Sequence, residues 1–230
     1  FLLGSLKLGA PLGAVVGPLS AKTLHIFGRA CFVANAKLGP AKLGDAPVYL
    51  YVTYVLTAYG GGVLCPLLLG KSPKPLESDT ILVLSFIAFI LFTRLGFKAI
   101  YNFLPVHLIG LVLENSFKGG LIATFFTAAK SSLGTMLGPL IVGTVAGCGG
   151  AVIWGPSGWG KDGCPKPIWS SLMAALFFAL STDPSYTALL PISVPQLTTD
   201  DATVMMVLAF TADALKGKFM RPAPSKSKTL

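Results

Sequence analysis

The sequence predicts an all-α, polytopic membrane protein with seven transmembrane helices, built as an inverted three-plus-three repeat plus one. Three observations predict it: the composition, the spacing of the apolar stretches, and two glycine clusters at matching places. Of 230 residues, 53% are hydrophobic and 12% charged, and the mean hydropathy is +0.73. A soluble domain carries roughly 25% charged residues, so water-soluble enzyme classes are excluded. At about 30 residues per span with its loop, the length holds six or seven spans and no separate soluble domain. One membrane domain is expected over residues 1–216, with a basic cytoplasmic tail over 217–230.

The chain starts at Phe1 rather than methionine, so a processed or truncated start is expected. Phe1 to Ser20 is apolar like a signal-peptide core but shows no clear cleavage site. The first span is read from Ala10 to Ala34. It holds Lys22, His25 and Arg29, which either face a polar interior or, the favoured reading, snorkel from a helix end. The second span, Tyr49 to Gly70, is uncharged and has Gly60, Gly61 and Gly62 at its middle. Each glycine lowers helix stability by roughly 1 kcal/mol against alanine. Such a triplet serves either close helix packing or a bend beside a path.

The third span runs from about Thr80 to Phe97 and turns through Asn102 to Val106 into the fourth. Pro105 suits a helix's first turn, where its missing donor is not needed. The fourth span, Val106 to Ala129, carries Glu114 and Lys118 at i and i+4, which predicts a facing pair on the polar side of the helix. The fifth, Leu133 to Trp154, is uncharged and interrupted by Gly147, Gly149 and Gly150. The sixth is read from Ile168 to Thr182 and the seventh from Ala202 to Lys216, with Asp213 inside it.

Seven spans place the termini on opposite sides. With the C-terminus cytoplasmic, that side collects Lys37, Lys42, Arg94, Lys98, Lys161, Lys166 and the tail cations. The other side holds Lys71 and Lys74 against Glu77 and Asp79, then Asp183, Asp200 and Asp201. This is the positive-inside pattern, and it accounts for the net charge of +9 without nucleic acid as a partner. Cys31, Cys65, Cys148 and Cys164 are scattered, and His25 and His107 are isolated. No metal, cofactor or catalytic set is therefore expected, and the chain is read as a non-enzyme.

The Gly60–Gly62 and Gly147–Gly150 clusters each fall in the second span of a three-span unit. An odd number of spans inverts the second unit against the first. Glycine breaks at corresponding places then point to a path at the repeat interface, with the two clusters meeting near mid-membrane.

Residues 54–69, the run NFLPVHL at 102–108 and the run PLIVGTVAGCGGAV at 139–152 resemble the trimeric intracellular cation channels, the TRIC family. The resemblance covers roughly residues 50–155. It implies a potassium-permeable channel of the endoplasmic reticulum or a related endomembrane, giving counter-ion flux during calcium release. It also implies a homotrimer with a pore in each protomer, bordered by the glycine-rich second and fifth spans. The family's lipid-binding Lys-Glu-x-x-Arg motif stands here as Glu114-Asn115-Ser116-Phe117-Lys118. Only Lys118 keeps a cation for an anionic membrane lipid. Ala146 stands where the family often has a lysine, and Leu95 where it has an acidic residue. Inverted repeats with broken helices also build secondary transporters of small solutes, which is the alternative function. A membrane protein without transport, its glycines serving packing alone, is the third.

Overall fold

The computed structural model describes residues 21–38, 46–154, 166–188, 191 and 194–219. Among these the chain is all-α. Seven helices of 15 or more residues make the bundle: α1 (Ala21–Lys37), α2 (Pro47–Leu68), α3 (Asp79–Thr93), α5 (Leu104–Ser132), α6 (Leu137–Trp154), α7 (Lys166–Thr182) and α9 (Thr199–Phe219). Two single turns, α4 (Lys98–Tyr101) and α8 (Pro184–Thr187), and a 3-10 turn at Lys74–Leu76 lie in the connections. Residues 10–20 of the expected first span, Lys42, Asp45, the 155–165 loop with Cys164, and the tail from residue 220 lie outside the described residues.

The helix ends follow local chemistry. Prolines sit in the first turns of α2 and α5, where a missing donor costs nothing. Gly70 and Gly96 take φ of 67° and 63° just past α2 and α3, a backbone region that only glycine adopts cheaply. Thr198 caps α9: its Oγ1 accepts from the Asp201 amide at 3.1 Å and donates to Asp201 Oδ2 at 2.7 Å. The glycine pair Gly119–Gly120 does not interrupt α5, which runs unbroken for 29 residues. A Cβ on Gly119 would press on Val207 of α9, so this glycine is there for packing.

Two apolar cores build the bundle, and the second draws on the seventh long helix, which lies outside the expected second three-span unit. One joins α1, α2 and α3 around Tyr54, Phe89 and Phe92, and the other joins α5, α7 and α9 around Ile122, Phe126 and Phe178. A third cluster, with Cys65, Phe125, Val142 and Ala146, ties α2 and α5 to α6. Corresponding helices meet: α2 packs most extensively on α6, and α1 packs on α5. Large apolar side chains such as Phe86, Ile87, Ile109, Met173 and Leu208 are exposed on the outside, as a lipid-facing surface requires. By length and hydropathy, α2 and α5 are long and apolar enough to cross a bilayer, while α3 and α6 are apolar but shorter.

Asp213, an odd residue for a lipid-buried helix, pairs instead with Lys166 at 2.9 Å, both side chains well exposed. At the other end of the bundle, Asp183 caps α8 and accepts from Ser185 N and Oγ at 3.1 and 2.8 Å, while Lys130 Nζ lies 2.7 Å from its second oxygen. Burial pushes the Asp183 carboxyl up, but the hydrogen bonds from Lys130 and Ser185 outweigh it and hold the pKa below the ordinary 3.8. A depressed folded pKa stabilises above the unfolded value, and that contribution is lost as pH falls through the folded one. Melting of the detergent-solubilised protein should therefore be flat in pH above about 4 and fall below it. Asp183→Asn should remove part of that acid dependence, and an unchanged acid limb would show that Asp183 is not held this way.

Candidate functional site

The site forms where α2 crosses α6. Residue Tyr59 leaves helical geometry, with φ −118° and ψ 20°, and splits α2 immediately before the glycine triplet. Pro66, further along α2, removes the donor that Gly62's carbonyl would normally meet. The predicted approach of the two glycine clusters is present. A Cβ on Gly60 would strike the Gly149–Gly150 peptide, one on Gly61 the Ala146 carbonyl, and one on Gly150 the Thr57 carbonyl. The two backbones are in direct contact, which no other residue type allows. Gly147 faces Ser171 and Ile122 instead, and Gly62 has only Lys74 within 4 Å, at 3.7 Å. Only α2 has the break: α6 is one continuous helix through its glycines. A bend in both helices is therefore corrected to a bend in one, because the α6 glycines serve the close crossing.

A cavity of about 930 Å³ opens at one end of the bundle. Its wall comes from the start of α1 (Lys22, His25), the second half of α2 (Tyr59, Gly62), the 74–78 connection, the second half of α5 and the start of α9. At its base lies a void of about 10 Å³ bordered by Arg29, Ala58, Gly61, Lys118, Ala146 and the α6 glycines. That is room for about one water. Phe117 and Leu121 line both spaces and so form the wall they share. The Phe117 ring meets Tyr59 edge-on at 5.9 Å, and Tyr59 is anchored by its hydroxyl, which donates to the Ile26 carbonyl at 3.0 Å.

The charges at the void are not paired as their spacing predicts. Glu114 and Lys118 stand one turn apart on α5, but Glu114 pairs with Arg29 of α1. Lys118 reaches the other way, donating to Ser170 of α7 at 3.1 Å and lying 4.2 Å from the Phe210 ring of α9. The i,i+4 pair is thus corrected: in a bundle, each side chain turns to whichever neighbouring helix offers a partner. Arg29 is also corrected. It does not snorkel; its Nε donates to the Ala58 carbonyl at 2.7 Å, and its side chain is 17% exposed. A span placed at Ala10 to Ala34 favours a snorkelling helix end over a polar interior; the apolar residues on both sides of Arg29, Ile26 and Phe27 before it and Cys31 to Val33 after it, are the signal for the second reading. No group of three His, Cys, Asp or Glu that could hold a metal occurs among the described residues.

Solved structures match this arrangement over nearly the whole chain. A structure of TRIC counter-ion channels in calcium release superposes with TM-score 0.66 at 19% identity, covering 90% of this chain and 99% of that one. A trimeric intracellular cation channel from C. elegans without Ca2+ gives 0.64 at 18% identity, covering 91% and 96%. The chain has the TRIC channel fold. A trimeric intracellular cation channel from C. elegans with bound Ca2+ gives 0.67 at 17% identity, covering 96% and 100%. No protein-family model and no curated protein matches the sequence. The TRIC fold is therefore carried here by geometry, with most side chains changed.

Proposed function

We propose that this chain is a cation channel, passing potassium across an intracellular membrane such as the endoplasmic reticulum as counter-ion during calcium release. The carrying observation is the glycine crossing of α2 on α6 with a cavity above it, a break in α2 beside it and charged groups around the void. Ions would pass down the cavity and between α1, α2, α5 and α6 once Phe117 and Leu121 part from Tyr59. As the chain stands here, the void admits no more than a single water, which is a shut path. Gly60, Gly61, Gly149 and Gly150 form the crossing on which the path is built, Gly147 packs beside it, and Gly62 faces the cavity. We assign the assembly as a homotrimer with a path in each protomer. An anionic lipid headgroup reaching Lys118 would have to displace Ser170 and Phe210.

The test is recording in planar bilayers. Purified protein should give discrete steps whose reversal in potassium, sodium and chloride gradients follows the cations. Saturable, coupled flux without steps would instead make it a secondary carrier of a small solute. Neither signal would leave the glycines a packing role alone.

Sidedness belongs to the same proposal: seven spans, the C-terminus cytoplasmic and the N-terminus lumenal. A glycosylation tag on the tail should remain unmodified, and one between Asp183 and Asp201 should be modified. The reverse pattern would invert the assignment, placing the large cavity on the cytoplasmic side.

A further inference from the structure

We propose that Arg29 sets the fixed charge of the narrowest part of the path and ties the α2 break to α5. This rests on the channel reading above and adds a residue and a mechanism to it. Among the described residues, Arg29 of α1 and Lys118 of α5 border the void at the glycine crossing, and Glu114 of α5 is paired with Arg29. Counted at full charge the three sum to +1, an unfavourable balance for a cation path. Glu114 is 6% exposed, and one of its oxygens accepts from Arg29 while the other, Oε2, has no hydrogen-bond partner. A buried carboxylate oxygen without a donor retains its full capacity to accept one. That oxygen is the open acceptor next to Arg29, the side chain that borders the void.

Arg29 controls how much of that charge a passing ion feels. Its Nη1 neutralises Glu114, and its Nε holds the Ala58 carbonyl one residue before the break at Tyr59. One planar fork thereby links three helices and fixes Glu114's orientation. Arg29 acts through Glu114 and the backbone, so it is a positioning residue rather than an ion ligand. Lys118, fixed by Ser170 and Phe210, contributes the same charge in every variant, so changes in the Arg29–Glu114 balance decide changes in the local sign.

The experiment is reversal-potential recording in a potassium chloride gradient on full-length wild type, Arg29→Gln, Glu114→Gln, the double variant and Arg29→Lys. The three-residue sum becomes 0 in Arg29→Gln, +2 in Glu114→Gln, and +1 again in the double variant. The potassium-to-chloride permeability ratio should rise roughly fivefold in Arg29→Gln and fall by a similar factor in Glu114→Gln. That factor is the Boltzmann weight of about 1 kcal/mol, one unit charge acting at 4 Å through water. The double variant should return close to wild type. Arg29→Lys retains the charge and should retain the ratio, while its lost fork should raise open probability. Should Glu114→Gln fail to assemble, the contrast of Arg29→Gln with Arg29→Lys decides alone. A conducting wild type with an unshifted ratio in Arg29→Gln, or the same shift in Arg29→Lys as in Arg29→Gln, overturns this inference and leaves the channel reading intact. A silent wild type overturns the channel reading and this inference with it.

Discussion

Gly61→Ala should lower the melting temperature by about 5–10 °C and cut folded yield, whereas Gly62→Ala should fold like wild type and conduct less. The two positions are adjacent, and alanine gains about 1 kcal/mol of helix propensity at either. What differs is the neighbour. At Gly61 the added methyl meets the Ala146 carbonyl, and backbone has no rotamer by which to give way. Overpacking costs 1–3 kcal/mol in ordinary cores, and here the upper end applies, at about 2–4 °C per kcal/mol for a chain this size. At Gly62 the methyl sits 3.7 Å from Lys74 Cβ, an ordinary contact, and extends into the cavity wall. Fluorescence-detected size exclusion after heating reads the first effect, and single-channel amplitude reads the second. Wild-type melting of Gly61→Ala would mean that α2 and α6 are not in backbone contact. Gly149→Ala should behave like Gly61→Ala, since its methyl would strike the Gly60–Gly61 peptide.

Glu114→Leu should destabilise the protein by about 3–5 kcal/mol, because it strands Arg29 without its counter-charge. Arg29→Met should cost a similar amount from the other side. Combining them should recover most of the loss, leaving a deficit of about 1 kcal/mol, since apolar replacements of both partners remove the desolvation penalty together. The readout is a double-mutant cycle on thermal melting, with the coupling energy as the result. Additive losses would show that the two side chains do not share one interaction. Lys166–Asp213 is the control pair: with both side chains largely exposed, its cycle should give a coupling under about 1 kcal/mol.

The bundle was legible because its signals are local. Apolar runs bounded by prolines, glycines and lysines marked the helices, and the matched clusters at 60–62 and 147–150 marked their crossing. The residues at Tyr49 and Thr80 lay within a few positions of the observed helix starts. The end of α9 lies at Phe219 rather than at the expected Lys216, since Lys216, Gly217 and Lys218 carry the signals of a helix end while the helix continues through them. Glu114's partner was illegible for a different reason. Spacing on one helix shows which residues share a face but not which other helix that face meets. Arg29 is 85 positions away in the chain and reaches Glu114 only because α1 packs on α5. The same limit applies to the glycines. A cluster in sequence announces low helix stability, and only the neighbour decides whether it bends, as near Tyr59, or docks, as at Gly149 and Gly150.

The α2–α6 crossing also bears on how such a protein can change over time. Where side chains interdigitate, the spacing of two helices depends on which side chains are present, and each replacement asks its neighbours to adjust. Here main chain rests on main chain, and main-chain dimensions are the same in every sequence. The separation at the centre is therefore set by bond lengths and atomic radii alone. Positions further out can exchange one apolar residue for another without moving that reference point, provided that the glycines in contact stay. A lineage can drift far in sequence around such a fulcrum while the relative placement of its two halves holds still.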